Sequence, residues 1–435
     1  MQVAMDGMPD LLRSCPHFDR LLSLVTTTDA YLVGGAIRDI LTGHPVTDID
    51  LIFPHDPTAL AWDFARLIGG HWFWLDQERR QSRVVANSSG ESLNYDFAVF
   101  RADSLEEDLL DRDFTINAMA LSLSVPLSTL SLIDPCHGLA DLHQNTLRMV
   151  RRAAFASDPL RIIKGVRHAT ALDLEVEHQT LRSMQAEAAG LVRVARERIR
   201  QEIWKVLTDK RAARGLQLLI ESGAGAQMFG DGFAGSYHSL LDRLASCRDQ
   251  WRQLAASHPV IDEWLARQIE QGLSNETLLI FTFLLAVVDK DLPVRLATEW
   301  KFSRKSRSIL AAAVAMNAGV LNEFAAIARN QRAYAWWSAR YQCEPGPLLL
   351  ALAGSPGAAT LTEVIREWVP LVSGLGRQRI KDLVDGQWLQ SELCLEEGPE
   401  MTKALELLRN AEISGAVSSR EEACRFLASH YHNRD

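Results

Sequence analysis

Residues 31–53, YLVGGAIRDILTGHPVTDIDLIF, decide how this chain is read. Tyr31, Leu32 and Val33 form a short apolar run that ends in Gly34-Gly35. An apolar-periodic segment follows, then a turn at Gly43 to Pro45, then Asp48-Ile49-Asp50 leading into Leu51, Ile52 and Phe53. The pattern predicts strand, glycine turn, short helix, turn and strand. Residues two apart in a strand share a face, so Asp48 and Asp50 would stand about 6 to 7 Å apart on one side while Ile49 faces a core. Unpaired, their repulsion is about 2 kcal/mol at an effective dielectric of roughly 20, before desolvation. A divalent cation removes that penalty, and hard oxygen ligands suit magnesium. The glycines let backbone N–H groups approach a phosphate, the helix behind them offers its positive end, and Arg38 adds a bidentate fork. Together these features point to a nucleoside triphosphate held on metal ions, whereas either one alone would read as a tight turn or a solvated strand end.

Downstream, the spacing predicts a helix over Leu60 to Ile68 and strands over His71 to Leu75, Ser82 to Ala86 and Leu93 to Phe100. In the last strand Asp96 alternates with Tyr95 and Phe97, which puts a third carboxylate beside the DxD pair, as a two-metal site would want. From Leu139 onward helical patterns dominate. The fold class expected is α+β: a small mixed sheet with a few helices, then a long helical arm. The boundaries expected are a mixed-sheet part over 1–140 and helical parts over 141–215 and 216–435, which the resemblance given below implies are a head, a neck, and a body and tail.

At 435 residues and 47% hydrophobic content, the chain has the make-up of an ordinary globular protein of two to four domains. Its net charge of −9 argues against a broadly basic nucleic-acid coat, yet the average hides a segregation. Counted along the sequence, residues 1–139 carry −11, residues 140–215 carry +6 and the remainder −4. Acid gathers where metal is expected, and base follows where polyphosphate or RNA backbone could be met. The longest apolar run, Leu278 to Val288, is too short to span a bilayer and reads as a buried helix. The N-terminus lacks the pattern of a signal peptide, so a cytoplasmic location is expected. Six scattered cysteines form no CxxC pair, which reads as reduced thiols rather than a zinc site.

Three further stretches complete the pattern: DLLDRDFTINAMA at Asp108 to Ala120, SDPLRIIKGVRHA at Ser157 to Ala169, and RERIRQE at Arg196 to Glu202. With GGAIRD and DID in front of them, the first 205 or so residues resemble the bacterial and eukaryotic class of tRNA nucleotidyltransferases (CCA-adding enzymes) and their poly(A) polymerase relatives. A weaker echo, EGPEMTKALELLRNAEISG at Glu397 to Gly415, resembles the tail of that family. The resemblance implies two magnesium ions on Asp48 and Asp50, triphosphate at Gly34, Gly35 and Arg38, and phosphate and ribose contacts from Arg112 and Asp113. It also implies a base-reading pair in Asp158 and Arg161. Helical spacing independently places Asp158, Arg161, Lys164 and Arg167 on one arc and Ile162, Ile163, Val166 and Ala169 on the opposite one. An Asp acceptor and an Arg donor can offer a base edge both kinds of hydrogen bond, in place of a template. The substrates implied are CTP, ATP or both, and the partner is tRNA or another RNA 3′ end.

Departures from the family pattern qualify this. Asp111 stands where a first arginine is usual, Ser157 replaces a glutamate, and His168 replaces an aromatic residue. Only Ala102, Asp103 and Ser104 stand where many relatives carry a long loop associated with the terminal A, and this shortening resembles the CC-adding specialists. A poly(A) polymerase on the same scaffold and a non-catalytic RNA-binding relative are the alternatives. SGAGAQMFG at Ser222 to Gly230 reads as a helix end and turn rather than a dinucleotide loop. YAWW at Tyr334 to Trp337 reads as helix core rather than a stacking surface. His430 and His432 read as a frayed terminus. Arg196 to Arg200, with Glu197 and Glu202, read as intrahelical pairs bracing the neck.

Overall fold

The computed structural model describes residues 8–26, 28–88, 91–124, 131–257, 259–315 and 382–431. YAWW, Cys343, His432 and the stretch 316–381 of the expected body lie outside them. The chain folds as two compact units, residues 1–194 with 209–228, and residues 195–208 with 229–435.

The first unit is built on a seven-stranded sheet ordered β3-β4-β5-β2-β1-β6-β7. The strands are β1 (Tyr31–Val33), β2 (Asp48–Phe53), β3 (His71–Asp76), β4 (Gln81–Ser88), β5 (Glu91–Val99), β6 (Ala120–Ser122) and β7 (Leu132–Ile133). Only β2 and β5 pair in parallel, so the sheet is mixed, as expected from the sequence. Alternation decides its two faces. Leu32, Ile49, Leu51, Val84, Tyr95 and Phe97 are buried on one of them. Against this face pack α3 (Gly35–Leu41) and α4 (Thr58–Ile68), with α1 (Met8–Ser14) and α2 (Phe18–Val25) behind them. Phe64 of α4 meets Tyr95 edge-on at 4.9 Å and Phe97 at 5.9 Å. Among the described residues the opposite face is covered in part, by Leu105 and Leu109 of α5 (Leu105–Leu110), which pack with Val33, Ile52 and Ala120.

Behind the sheet come α6 (Gly138–His143), α7 (Ala154–Ser157), α8 (Leu160–Leu172) and α9 (His178–Glu187). Ile162, Ile163, Val166 and Ala169 of α8 are fully buried, and Arg161, Lys164 and Arg167 are not, which is the two-arc pattern expected. One detail is corrected: Asp158 is not helical. It is extended (φ −142°, ψ 94°) ahead of Pro159, and its Oδ1 accepts from Leu160 N at 3.2 Å in a turn that leads into the helix. Gly165 is the point of closest packing on α8. A Cβ there would lie 2.7 Å from Phe114 Cζ and collide with Met184 Cε, both fully buried. Gly165→Ala is therefore expected to destabilise by about 1 to 3 kcal/mol through overpacking, although alanine gains about 1 kcal/mol in helix propensity. Urea denaturation checks this, and a variant more stable than the parent would show that the helix interface can shift.

In the second unit the run Leu278 to Val288 lies in the helix Asn275–Val288 and is largely buried, so it is a core helix. Around it Trp204, Phe281, Trp300 and Phe302 interlock, with Trp204 edge-on to Phe281 at 5.1 Å and to Phe302 at 5.4 Å. Charged residues of RERIRQE brace this unit by pairing with residues distant in the chain. Arg196 pairs with Glu299 at 3.0 Å, Arg200 with Glu270 at 3.4 Å, and Lys301 with Glu197 at 3.2 Å. The tail helices Gly386–Leu393, Pro399–Ile413 and Arg420–Tyr431 share a small core of their own, tied by a bidentate Arg409–Asp382 pair at 2.9 and 2.8 Å. SGAGAQMFG contains a helix end and a turn at Gly223 (φ +75°) before a short second helix. No described helix is long and apolar enough to cross a membrane.

Candidate active site

Three adjacent strands bring the site together. Val33, Asp50 and Asp96 are register neighbours across β1, β2 and β5, and Asp96 faces Arg83 on β4. Asp48 faces Asn94, whose Nδ2 donates to Asp48 Oδ1 at 2.9 Å. Burial pushes the Asp50 carboxyl up to about 6, helped by the charges of Asp96 and Asp48 and opposed by Arg112. A carboxylate held this unwillingly ionised, next to an exposed second one, fits a divalent cation. Asp96 is engaged differently. Arg83 Nε donates to its Oδ1 at 2.6 Å and Nη2 to its Oδ2 at 2.8 Å, a bidentate fork that raises the pKa of Arg83. Among the described residues the three carboxylates therefore form a pair plus an ion pair, not a ready three-ligand cluster.

The glycine turn rises from β1 beside this row. Gly34 adopts φ +76°, ψ −134°, open to glycine alone, and a Cβ there would stand 3.2 Å from Asp50 Oδ2 and 3.1 Å from Arg112 Nη1. Gly34 is thus the floor between a carboxylate and a guanidinium. Arg112 is itself aimed by Asp108, which is fully buried and accepts from Arg112 Nη2 at 3.1 Å and from Arg101 N at 2.9 Å. Arg38, expected to add a fixed charge with a bidentate fork, is buried. Its Nε and Nη2 bind Asp39 Oδ1 at 2.8 and 2.7 Å, and its Nη1 donates to Asn117 Oδ1 at 2.6 Å. Its charge is fixed close to Gly35, where a Cβ would lie 3.3 Å from Nη2.

The expected base-reading residues meet the head here. Arg161 Nη2 donates to the Asp111 carbonyl at 2.9 Å, while its Nη1 is buried without a hydrogen-bond partner among the described residues. Burial lowers the pKa of this guanidinium against the raising influence of Asp113 and Asp158. An N–H so placed is a donor awaiting an acceptor. Asp113 Oδ1 accepts from Phe114 N at 2.8 Å and Asn117 Nδ2 at 3.1 Å. Arg167 Nη2 lies 2.9 Å from His168 Nε2, which makes Nε2 the acceptor. The imidazole packs edge-on to Phe114 at 6.1 Å. The second departure, Asp111, is neutralised: its carboxylate pairs with Arg151, so no unbalanced negative charge is added. Ser157 only closes its own turn, donating to the Ala154 carbonyl at 3.0 Å.

A Poly A polymerase head domain model matches residues 30–148, and a model for the probable RNA and SrmB-binding site of polymerase A matches residues 173–231. A CC-adding tRNA nucleotidyltransferase of Geobacter sulfurreducens is 32% identical over 407 residues, covering 92% of this chain and 91% of the relative. The chain belongs to the tRNA nucleotidyltransferase family. Within this family an A-adding tRNA nucleotidyltransferase of Deinococcus radiodurans is 40% identical over 199 residues, 45% of this chain and 43% of that one. A solved CCA-adding enzyme in complex with CTP shares the fold, with a TM-score of 0.66 at 20% identity and 97% of each chain covered. The strands and helices of the family's motifs gather Asp48, Asp50, Asp96, Gly34, Arg112 and Asp113 around one turn, with Arg161 close to Asp113.

Sequence reading missed several residues that shape this site. Asp108 was detectable, because it stands four residues before Arg112, helix spacing for an ion pair. Arg83 could be matched to Asp96 only with the hairpin register in hand. Arg151 lies far along the chain from Asp111, and no local pattern links them.

Proposed function

We propose that this chain adds nucleotides to the 3′ end of tRNA without a template, and that CMP is what it adds, twice, as a CC-adding enzyme. The observation behind the finer reading is the connection from β5 to α5. Val99 ends the strand, and Ser104 already caps the helix, its Oγ accepting from Glu107 N at 3.2 Å. The long insertion associated with the terminal A has no room there.

In this reading Asp48 and Asp50 hold magnesium, which when bound neutralises charge on the entering and leaving oxygens. Asp96 holds Arg83 in the row and adds negative potential at Asp50. Gly34 and Gly35 cradle the triphosphate, with the Arg38 charge fixed close to them by Asp39 and Asn117. Arg112 faces the α-phosphate, and Asp113 offers Oδ2 to a ribose hydroxyl. Arg161 Nη1 and Asp158 address the base edge, with Lys164 and Arg167 on the same side of α8. The 3′-hydroxyl of the RNA attacks the α-phosphorus in line, and pyrophosphate leaves. The groups mainly position and neutralise, so specificity resides in α8 and rate in the strand carboxylates.

The test is an extension assay with purified protein, magnesium, each triphosphate in turn and tRNA ending at the discriminator base, C or CC. Two C residues added and A refused is the expected result. Addition of A alone to RNA ending in CC would overturn the CC reading in favour of an A-adding one, and a long tail would indicate a poly(A) polymerase.

A further inference from the structure

The sheet face that carries Asp50 continues to the open edge of the sheet. Register sets one row of side chains across four strands, with Asp50 beside Asp96, Asp96 beside Arg83, and Arg83 beside Phe73. On the β1 side of Asp50 this face is roofed by Leu105 and Leu109. On the other side Phe73 and Leu75 are 44% and 42% exposed, and His71 is exposed with them. Trp72 and Trp74 point to the α4 side and are half-buried. At about 4.8 Å per strand, Phe73 stands three strands, roughly 14 Å, from Asp50.

In-line chemistry assigns a direction to this row. Gly34 and Gly35 continue from Val33, on the β1 side of Asp50, so a triphosphate cradled there leaves its pyrophosphate on that side. The attacking oxygen must then enter from the opposite side, over β5 and β4. We propose that the open face of β4 and β3 is the floor along which the single-stranded RNA 3′ end reaches the carboxylates, and that Phe73 stacks on one of its bases. This rests on the transferase reading above. By spacing, the stacked base lies roughly two to four nucleotides upstream of the attacking hydroxyl, fewer if the strand is stretched. Stacking suits the task, because every base has a π-face and the end that must be held changes with each addition. Arg83 spends Nε and Nη2 on Asp96, which leaves Nη1 outside that pair and able to meet a backbone phosphate.

The experiment compares full-length wild type with Phe73→Ala, Phe73→Leu and Phe73→Trp on an acceptor-stem minihelix, measuring KM for RNA, KM for CTP, kcat and melting temperature. Loss of stacking is expected to raise KM for RNA roughly five- to hundred-fold in the Ala and Leu variants. KM for CTP and the melting temperature should hold, since the side chain is exposed on an edge strand, and Trp should restore RNA affinity. An active wild type with an unaltered Ala variant overturns the contact. A Leu variant equal to wild type overturns stacking in favour of a merely apolar surface. A wild type that incorporates nothing on any RNA overturns the transferase reading itself, which is a separate result.

Discussion

Asp50→Asn is expected to lose incorporation by about a thousandfold or more while making the metal-free protein harder to unfold. Both effects come from the same surroundings. Burial and the neighbouring Asp96 and Asp48 hold the Asp50 carboxyl at about 6 in the folded state, above its ordinary 3.8. A carboxyl raised on folding favours the native state at low pH, and that contribution is lost as pH rises through about 6. Above that pH the ionised group opposes folding by on the order of 2 to 3 kcal/mol. Asparagine keeps the shape without the charge, so in chelator, at a pH well above the Asp50 value, the variant should melt a few degrees higher. Magnesium should raise the melting temperature of the parent and not of the variant, because only the parent gains a bound ion on folding. An active Asp50→Asn enzyme, or one that melts below the parent in chelator, would sink the assignment of Asp50 as a metal-holding carboxylate.

The second large effect belongs to Arg112. Its partner Asp108 has no exposed surface, and once the guanidinium is gone Arg101 N is the hydrogen bond left on that carboxylate among the described residues. Arg112→Ala leaves a buried charge half-compensated, a loss expected to be about 3 to 5 kcal/mol. The double variant Asp108→Asn with Arg112→Ala removes the orphaned charge and should recover most of that stability. It should not recover turnover, because the guanidinium beside Gly34 and Asp50 is still missing. Denaturation curves and steady-state rates on the parent, the two single variants and the double separate these effects. If stability and rate recover together, Arg112 is a structural brace with no part in holding phosphate.

Glycine, aspartate and alternation alone carry a large part of this molecule. GGAIRD and DID are local patterns whose geometry follows from a two-residue period and from the freedom of glycine at positive φ, so β1, the Gly34 turn and the placing of Asp48 with Asp50 were legible without tertiary information. The burial of Ile49, Tyr95 and Phe97, and the two arcs of α8, were legible for the same reason. What could not be read was which charges cancel. Asp111 looked like a liability until Arg151 proved to be its partner, Asp96 looked like a third ligand until Arg83 took both its oxygens, and the fork of Arg38 looked aimed at phosphate until Asp39 and Asn117 closed on it.

Sequence by itself determined the strand that carries the two acidic residues of DID and the two arcs of α8, because these depend on periodicities of two and 3.6 residues that any short window displays, and it determined the family through the order of its motifs along the first 205 or so residues. Tertiary structure alone decided the row from Phe73 through Arg83 and Asp96 to Asp50, the pairing of Asp111 and the burial of Arg161 Nη1 with no hydrogen-bond partner among the described residues. Those depend on strand register and on pairings between residues far apart in the chain, where the backbone closes on itself and local pattern carries no information.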